Sequence, residues 1–225
     1  MQTIFSNKEL EIAQECSDNP LNFLNYCKIL TSNGFATFKP YHWQKTFIES
    51  LFLSRNTKQP NHIVAAGRQM GKTTACAAYA LWFATFFDNK VIGIISCKRA
   101  QGQEILFNIK QMQQSLPEFL KLDVKVNNKD ELQLSNGSRI IVGVVNPNSV
   151  KGRALDMLIC DEVAHWHKNE ADDFAKSVFP TQACKPDAQM IMISTPNGKD
   201  NLFYDIFDRA SRGRNSFTAI HVKYL

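Results

Sequence analysis

An α/β fold built on a mainly parallel sheet is what this sequence predicts, and three observations predict it. Four short segments, HIVAAG, VIGIISC, ALDMLICDE and QMIMIST, are apolar along nearly their whole length, the pattern of strands buried on both faces. Helical patterns separate them, so strands and helices alternate along the chain, with helices expected on both faces of the sheet. At 225 residues and 44% hydrophobic, the chain is long and apolar enough for one well-buried core.

Taken in order, residues 1–38 read as two short helices broken at Asp18-Asn19-Pro20. The second is LNFLNYCKIL, and Gly34 ends what looks like a small helical appendage to a main unit at 39–225. From Tyr41 a helical pattern marked by Trp43, Phe47 and Leu51 leads through a polar stretch to Pro60, where strand 62–66 begins. A long apolar helix covers 72–87, a second strand 91–97, and an amphipathic helix 100–116 stops at Pro117. ELQLSNGSRIIVGVV then alternates around Asn136-Gly137, the strongest hairpin signal in the chain, and reads as an insertion. Alternation resumes with strand 154–162, a helix over 170–178, strand 189–195, helix 202–210 and a closing strand 217–222.

Composition excludes more than it selects. A net charge of +5 spread along the chain is compatible with a polyanionic partner without pointing to one. The six cysteines, at 16, 27, 76, 97, 160 and 184, form no C-x-x-C pair, and two lie in apolar strands. They read as reduced core cysteines, not as a disulfide frame or zinc site. The amino terminus carries acids where a signal peptide needs an apolar stretch, and the longest apolar run, 75–87, is too short to span a bilayer. The expectation is a cytoplasmic protein.

Two stretches carry chemistry. AAGRQMGKTTA, from Ala65, ends in the Gly71-Lys72-Thr73 of a phosphate-cradling loop, although alanine stands at 66 where that pattern has its leading glycine. Between a strand and a helix start, successive N–H groups and the helix dipole favour a triphosphate, with Lys72 on its β and γ phosphates and the Thr73 hydroxyl on Mg²⁺. MLICDE, at 157–162, delivers Asp161 and Glu162 to the carboxyl edge of the sheet, where open α/β sheets bind ligands. Asp161 suits Mg²⁺ held through water, and Glu162 suits the polarising of an attacking water. Each stretch alone also reads as an ordinary strand-to-helix turn; together, and in this order, they point to nucleotide hydrolysis.

Three further stretches are open to two readings each. Gln44 in PYHWQKTF has the donor and acceptor that an adenine edge requires, or is a solvated helix glutamine. Ser194 and Thr195 in ISTPNG leave a strand at the same sheet edge, near a γ-phosphate, or belong to a plain turn. SVKGRALD, at 149–156, sets cations around Gly152, or is a solvated basic loop.

PYHWQ, GRQMGKTT, MLICDE and ISTPNG, in that order, resemble the adenine-reading, phosphate-loop, acidic and coupling motifs of the large terminase subunit, the DNA-packaging motor of tailed bacteriophages. The resemblance spans about residues 38–225, with LSNGSRI and NLFYDIFDRA in matching places. It implies an ATPase of the additional-strand, recombinase- and helicase-like type that uses ATP and Mg²⁺. The loop Gly67, Arg68, Gln69, Met70, Gly71, Lys72, Thr73 and Thr74, together with Gln44, would bind ATP. The family loop typically lacks the first glycine and carries an Arg-Gln pair, as Arg68-Gln69 does here, and Arg68 would stabilise the γ-phosphate in cis. Ser194 and Thr195 would couple nucleotide state to DNA.

Double-stranded DNA, a portal protein, a small terminase subunit and a homo-oligomeric ring, a pentamer by resemblance, are the implied partners, in the host cytoplasm and not in the virion. Two departures stand out. The family has Arg-Gly where this chain has Lys151-Gly152, which leaves Arg153 as the choice for a finger offered to a neighbouring subunit. Family members also continue into an RNase H-like nuclease, and this chain ends at Leu225, so an isolated ATPase domain or a split gene product without nuclease activity is expected. The rival readings are a helicase-like translocase, a portal-docking module active only in the oligomer, and a plain DNA-binding protein.

Overall fold

The computed structural model describes residues 5–146, 155–183, 185 and 187–223. In chain order the elements are α1 (Asn7–Asp18), α2 (Pro20–Leu24), β1 (Lys28–Thr31), β2 (Gly34–Thr37), α3 (His42–Ser54), β3 (Asn61–Ala66), α4 (Lys72–Phe86), β4 (Val91–Ser96) and α5 (Arg99–Ser115). There follow β5 (Val124–Asn128), β6 (Glu131–Leu134), β7 (Arg139–Val144), β8 (Met157–Asp161), α6 (Lys168–Ala183), β9 (Gln189–Ser194), α7 (Leu202–Ser211) and β10 (Phe217–Val222).

Eight of these strands form one sheet in the order β10-β3-β9-β8-β4-β7-β6-β5. The six strands from β10 to β7 are parallel, and β6 and β5 extend the far edge antiparallel. β9 lies between β3 and β8, the inserted strand that defines the additional-strand class. Because β3, β9 and β8 are parallel and in register, with Ala65 opposite Ser194 and Asp161 opposite Ile193, their carboxyl ends finish side by side.

The apolar runs become strands because both sheet faces are covered. On one face α4 is buried almost throughout, as expected of a helix apolar all round, and shares a cluster with Ile92, Ile94, Ile159 and Ile191. On the other, Leu158, Cys160 and Met192 pack against Trp166, Phe174 and Phe203. At the opposite sheet edge Asp156 accepts from the Val91 N–H at 2.9 Å and pairs with Lys185 at 2.9 Å and Lys90 at 3.3 Å. That tie anchors the starts of β4 and β8 and so helps set where Asp161 ends up.

Three expectations need correction. LNFLNYCKIL is not one helix: α2 stops at Leu24, and the rest enters the hairpin β1–β2 across a turn that Gly34 closes at φ 97°. A helix would have placed Leu30 near the buried stripe of Phe23 and Cys27; in the hairpin it is 55% exposed opposite Phe35. Second, the Asn136-Gly137 hairpin is not inserted beside the sheet but continues it, since β7 pairs parallel with β4, and β5 adds a strand not foreseen. The Asn136 side chain also donates to the Ala84 carbonyl at 2.9 Å, satisfying one of the last carbonyls of α4. Third, the helix expected over 170–178 runs on to Ala183 despite Pro180.

The amino-terminal segment packs closely on the rest. Cys16, Phe23, Leu24, Cys27 and Phe38 join the cluster around α4, and Trp82 Nε1 donates to the Cys16 carbonyl at 2.8 Å. Among the described residues no helix is long and apolar enough to cross a membrane.

Candidate active site

The loop at 67–71 leaves β3 and enters α4. Ala66 answers the question its sequence raises: it is a strand residue paired with Val222 and absent from the positive-φ positions, so no glycine is required there. The left-handed positions fall later, at Gln69 (φ 59°) and Gly71 (φ 74°). Alternation of this kind turns backbone N–H groups into a concavity that suits an anion, and a non-glycine residue held there is sustained strain of the sort found at ligand sites. Gly71 has a second constraint, because a Cβ there would lie 2.5 Å from Gln44 Nε2.

Gln44 is buried, not solvated. Its Oε1 accepts from the Tyr41 N–H at 2.7 Å and its Nε2 donates to the Gly71 carbonyl at 2.8 Å, which ties the start of α3 to the loop. One N–H and one lone pair of the amide remain for another partner.

Lys72, at the first turn of α4, is also buried. Its Nζ donates to the carbonyls of Ala66 at 3.2 Å and Gly67 at 3.0 Å and lies 3.5 Å from Glu162 Oε1. The ammonium therefore sits at the loop's mouth, between backbone carbonyls and a carboxylate that a phosphate would displace.

Asp161 and Glu162 end β8 as expected, and their environments separate them. Burial, with the neighbouring Glu162 charge added, pushes the Asp161 carboxyl up to about 7 against the pull of Lys72. Its Oδ1 is buried without a hydrogen-bond partner. Burial also acts to raise Glu162, but the Thr195 N–H and hydroxyl, Lys72 and Ser194 outweigh it and hold Glu162 below its ordinary value. Glu162 has φ 49° and ψ 45°, and its left-handed backbone turns the chain into a short 3₁₀ turn, Val163–His165.

A cavity of about 420 Å³ opens over these groups. Arg68, Thr73, Thr74, Asp161 and Glu162 line it, and α5 supplies a wall of Gln101, Glu104 and Asn108. Hard oxygen donors, one of them the partnerless buried Oδ1, beside a lysine and a left-handed loop fit a Mg²⁺–triphosphate. A larger hollow of about 630 Å³ lies at the other sheet edge, by Asn61, Met190 and Phe217, and has neither loop nor carboxylate pair.

The structure thus brings together Arg68, Lys72, Thr73, Thr74, Asp161, Glu162, Ser194 and Thr195, with Gln44 behind the loop. Lys151 and Arg153 fall outside the described residues. Sequence reasoning missed the α5 wall, whose residues recur three and four apart beside the buried stripe of Ile105 and Ile109, and it missed His165. The helical periodicity over 100–116 identifies an amphipathic helix but does not say which of its residues face the loop.

The family model described as the terminase large subunit, T4likevirus-type, N-terminal, matches residues 63–224. The chain belongs to that family. Among solved structures, the terminase fold recurs in the large terminase of bacteriophage HK97, with a TM-score of 0.74 and 20% identity over 92% of this chain and 43% of that one. The large terminase ATPase domain of Thermus phage P74-26 gives a TM-score of 0.61 and 21% identity, covering 82% of this chain and 81% of that domain. A large terminase of a thermophilic bacteriophage in complex with ADP gives 0.61 and 16% identity, covering 81% and 45%. This terminase chain therefore spans less than half of the HK97 protein.

Proposed function

We propose that this chain is the ATPase domain of a packaging motor, hydrolysing ATP to drive double-stranded DNA into a procapsid. The observation that carries the reading is the meeting, at one sheet edge, of the left-handed loop with Lys72 and two carboxylates of different character. Lys72 leaves the Ala66 and Gly67 carbonyls to bind the β and γ phosphates, and Arg68 adds positive charge where the γ-phosphoryl charge develops. Thr73 and Asp161 would hold Mg²⁺, Asp161 through water, and the metal would neutralise phosphate charge. Glu162, kept ionised by its donors, orients the attacking water and accepts its proton. In this reading the remaining amide N–H of Gln44 serves adenine, and Ser194 and Thr195, which lie against Glu162, pass nucleotide state onward.

In this reading Arg153, or Lys151, is the cation offered to a neighbouring chain in a ring on the portal, with the small subunit and DNA as partners and the host cytoplasm as the place of action. Phosphate release from Mg·ATP by the chain, beside a Lys72→Ala variant, tests it. Turnover in the parent with loss of at least about 10²-fold in the variant supports the reading; equal rates overturn it.

A further inference from the structure

The water-orienting carboxylate is held from behind by a chain of donors that ends in a histidine. Glu162 Oε2 accepts from the Thr195 N–H at 2.8 Å and the Thr195 hydroxyl at 2.8 Å, and lies 3.2 Å from Ser194 Oγ, whose single hydrogen also has the Thr195 carbonyl at 2.9 Å. Thr195 Oγ1 lies 2.9 Å from His165 Nε2. A hydroxyl has one hydrogen, and a carboxylate oxygen has none to give, so the Thr195 hydrogen lies on Glu162. The Thr195 oxygen must then accept from His165, which makes Nε2 the protonated ring nitrogen.

The turn that carries His165 is itself fastened to the ends of β9 and β8. The Ala164 N–H donates to Ser194 Oγ at 3.1 Å, Asn197 Nδ2 to the Ala164 carbonyl at 3.1 Å, and Trp166 Nε1 to the Asp161 carbonyl at 2.9 Å. His165 is thus presented at a fixed height over Thr195 while its own edge reaches solvent, its side chain 35% exposed. Oε1 of Glu162, free of these donors, is the oxygen that faces Lys72.

We propose that His165 is a positioning residue for hydrolysis: its Nε2–H fixes the Thr195 hydroxyl, which fixes Glu162 with Oε1 toward the nucleotide cavity. The inference rests on the ATPase reading above. With the ring donor gone, the Thr195 hydroxyl is free to rotate, and Glu162 loses one of the bonds that aim it. Misaimed bases lower the chemical step and leave ground-state binding alone.

His165→Phe keeps the ring's bulk without a donor, and His165→Gln restores an N–H. His165→Phe should lose about tenfold or more in kcat with KM for ATP changed less than about twofold. His165→Gln should recover most of the loss, with all three proteins melting alike. Parental kcat in His165→Phe, or a glutamine variant no better than the phenylalanine one, overturns the proposal.

A second measurement does not depend on turnover. In the nucleotide-free chain the Thr195 hydroxyl proton should exchange slowly enough to be seen by NMR, near the His165 ring, and should vanish in His165→Phe. Its absence from the parent, or its persistence in the variant, sinks the relay. A parent that shows this proton but releases no phosphate would instead sink the ATPase reading.

Discussion

Asp161, the metal holder of the proposed reaction, carries a folding cost. Its folded carboxyl titrates near 7, while an unfolded aspartate titrates near 3.9, so the folded chain holds the proton more tightly. That contribution to stability is present below the unfolded value and is lost as pH rises through about 7. Above pH 7 the nucleotide-free protein therefore carries a buried, partly uncompensated charge. Asp161→Asn should melt higher than the parent at pH 8, by at least roughly 2–4 °C, and gain less at pH 5. A variant that melts lower at pH 8 would show that Asp161 is better paired than its geometry indicates. Gly71 supplies a second test at this scale. Gly71→Ala meets left-handed strain and the Gln44 amide together, so nucleotide affinity should fall, read by titration with a fluorescent ATP analogue.

The sequence disclosed most at the level of strands, since β3, β4, β8, β9 and β10 are each apolar, β-branched and bounded by turn signals or helical patterns. It disclosed least where two periods coincide. In residues 21–30 the apolar spacing of Leu21, Leu24 and Cys27 continues a helical stripe, and only the Ser32-Asn33-Gly34 turn marks the hairpin. β5 was hidden for another reason: it is a mostly exposed edge strand, rich in Lys and Asn, that neither alternates cleanly nor reads as apolar. The packing of α1 and α2 on α4 was likewise illegible, since contacts such as Phe23 on Phe86, with centroids 5.6 Å apart, join residues far apart in sequence. Phe23→Ala should cost about 3–5 kcal/mol by leaving a cavity in that shared cluster, seen as a single melting transition displaced downward. An unchanged melting temperature would mean that this segment stands apart from the core.

At the scale of the molecule, six parallel strands set the loop, the two carboxylates and Ser194 and Thr195 on one edge, β6 and β5 extend the sheet, and helices cover its faces. The candidate site was legible because its parts sit at strand ends, where sequence order and spatial order agree. The α5 wall and the His165 relay were not, because they depend on how a helix and a short turn lean over that edge. If a neighbouring chain supplies a cation, turnover per chain should rise with protein concentration; a flat dependence would place the whole catalytic apparatus within one chain. The central claim is that Glu162 acts on water and not on nucleotide binding. Glu162→Gln, assayed for Mg·ATP affinity and phosphate release side by side, tests it most directly. Affinity within about threefold of the parent with turnover down about 10²–10⁴-fold is the predicted result; turnover close to the parent's would contradict it.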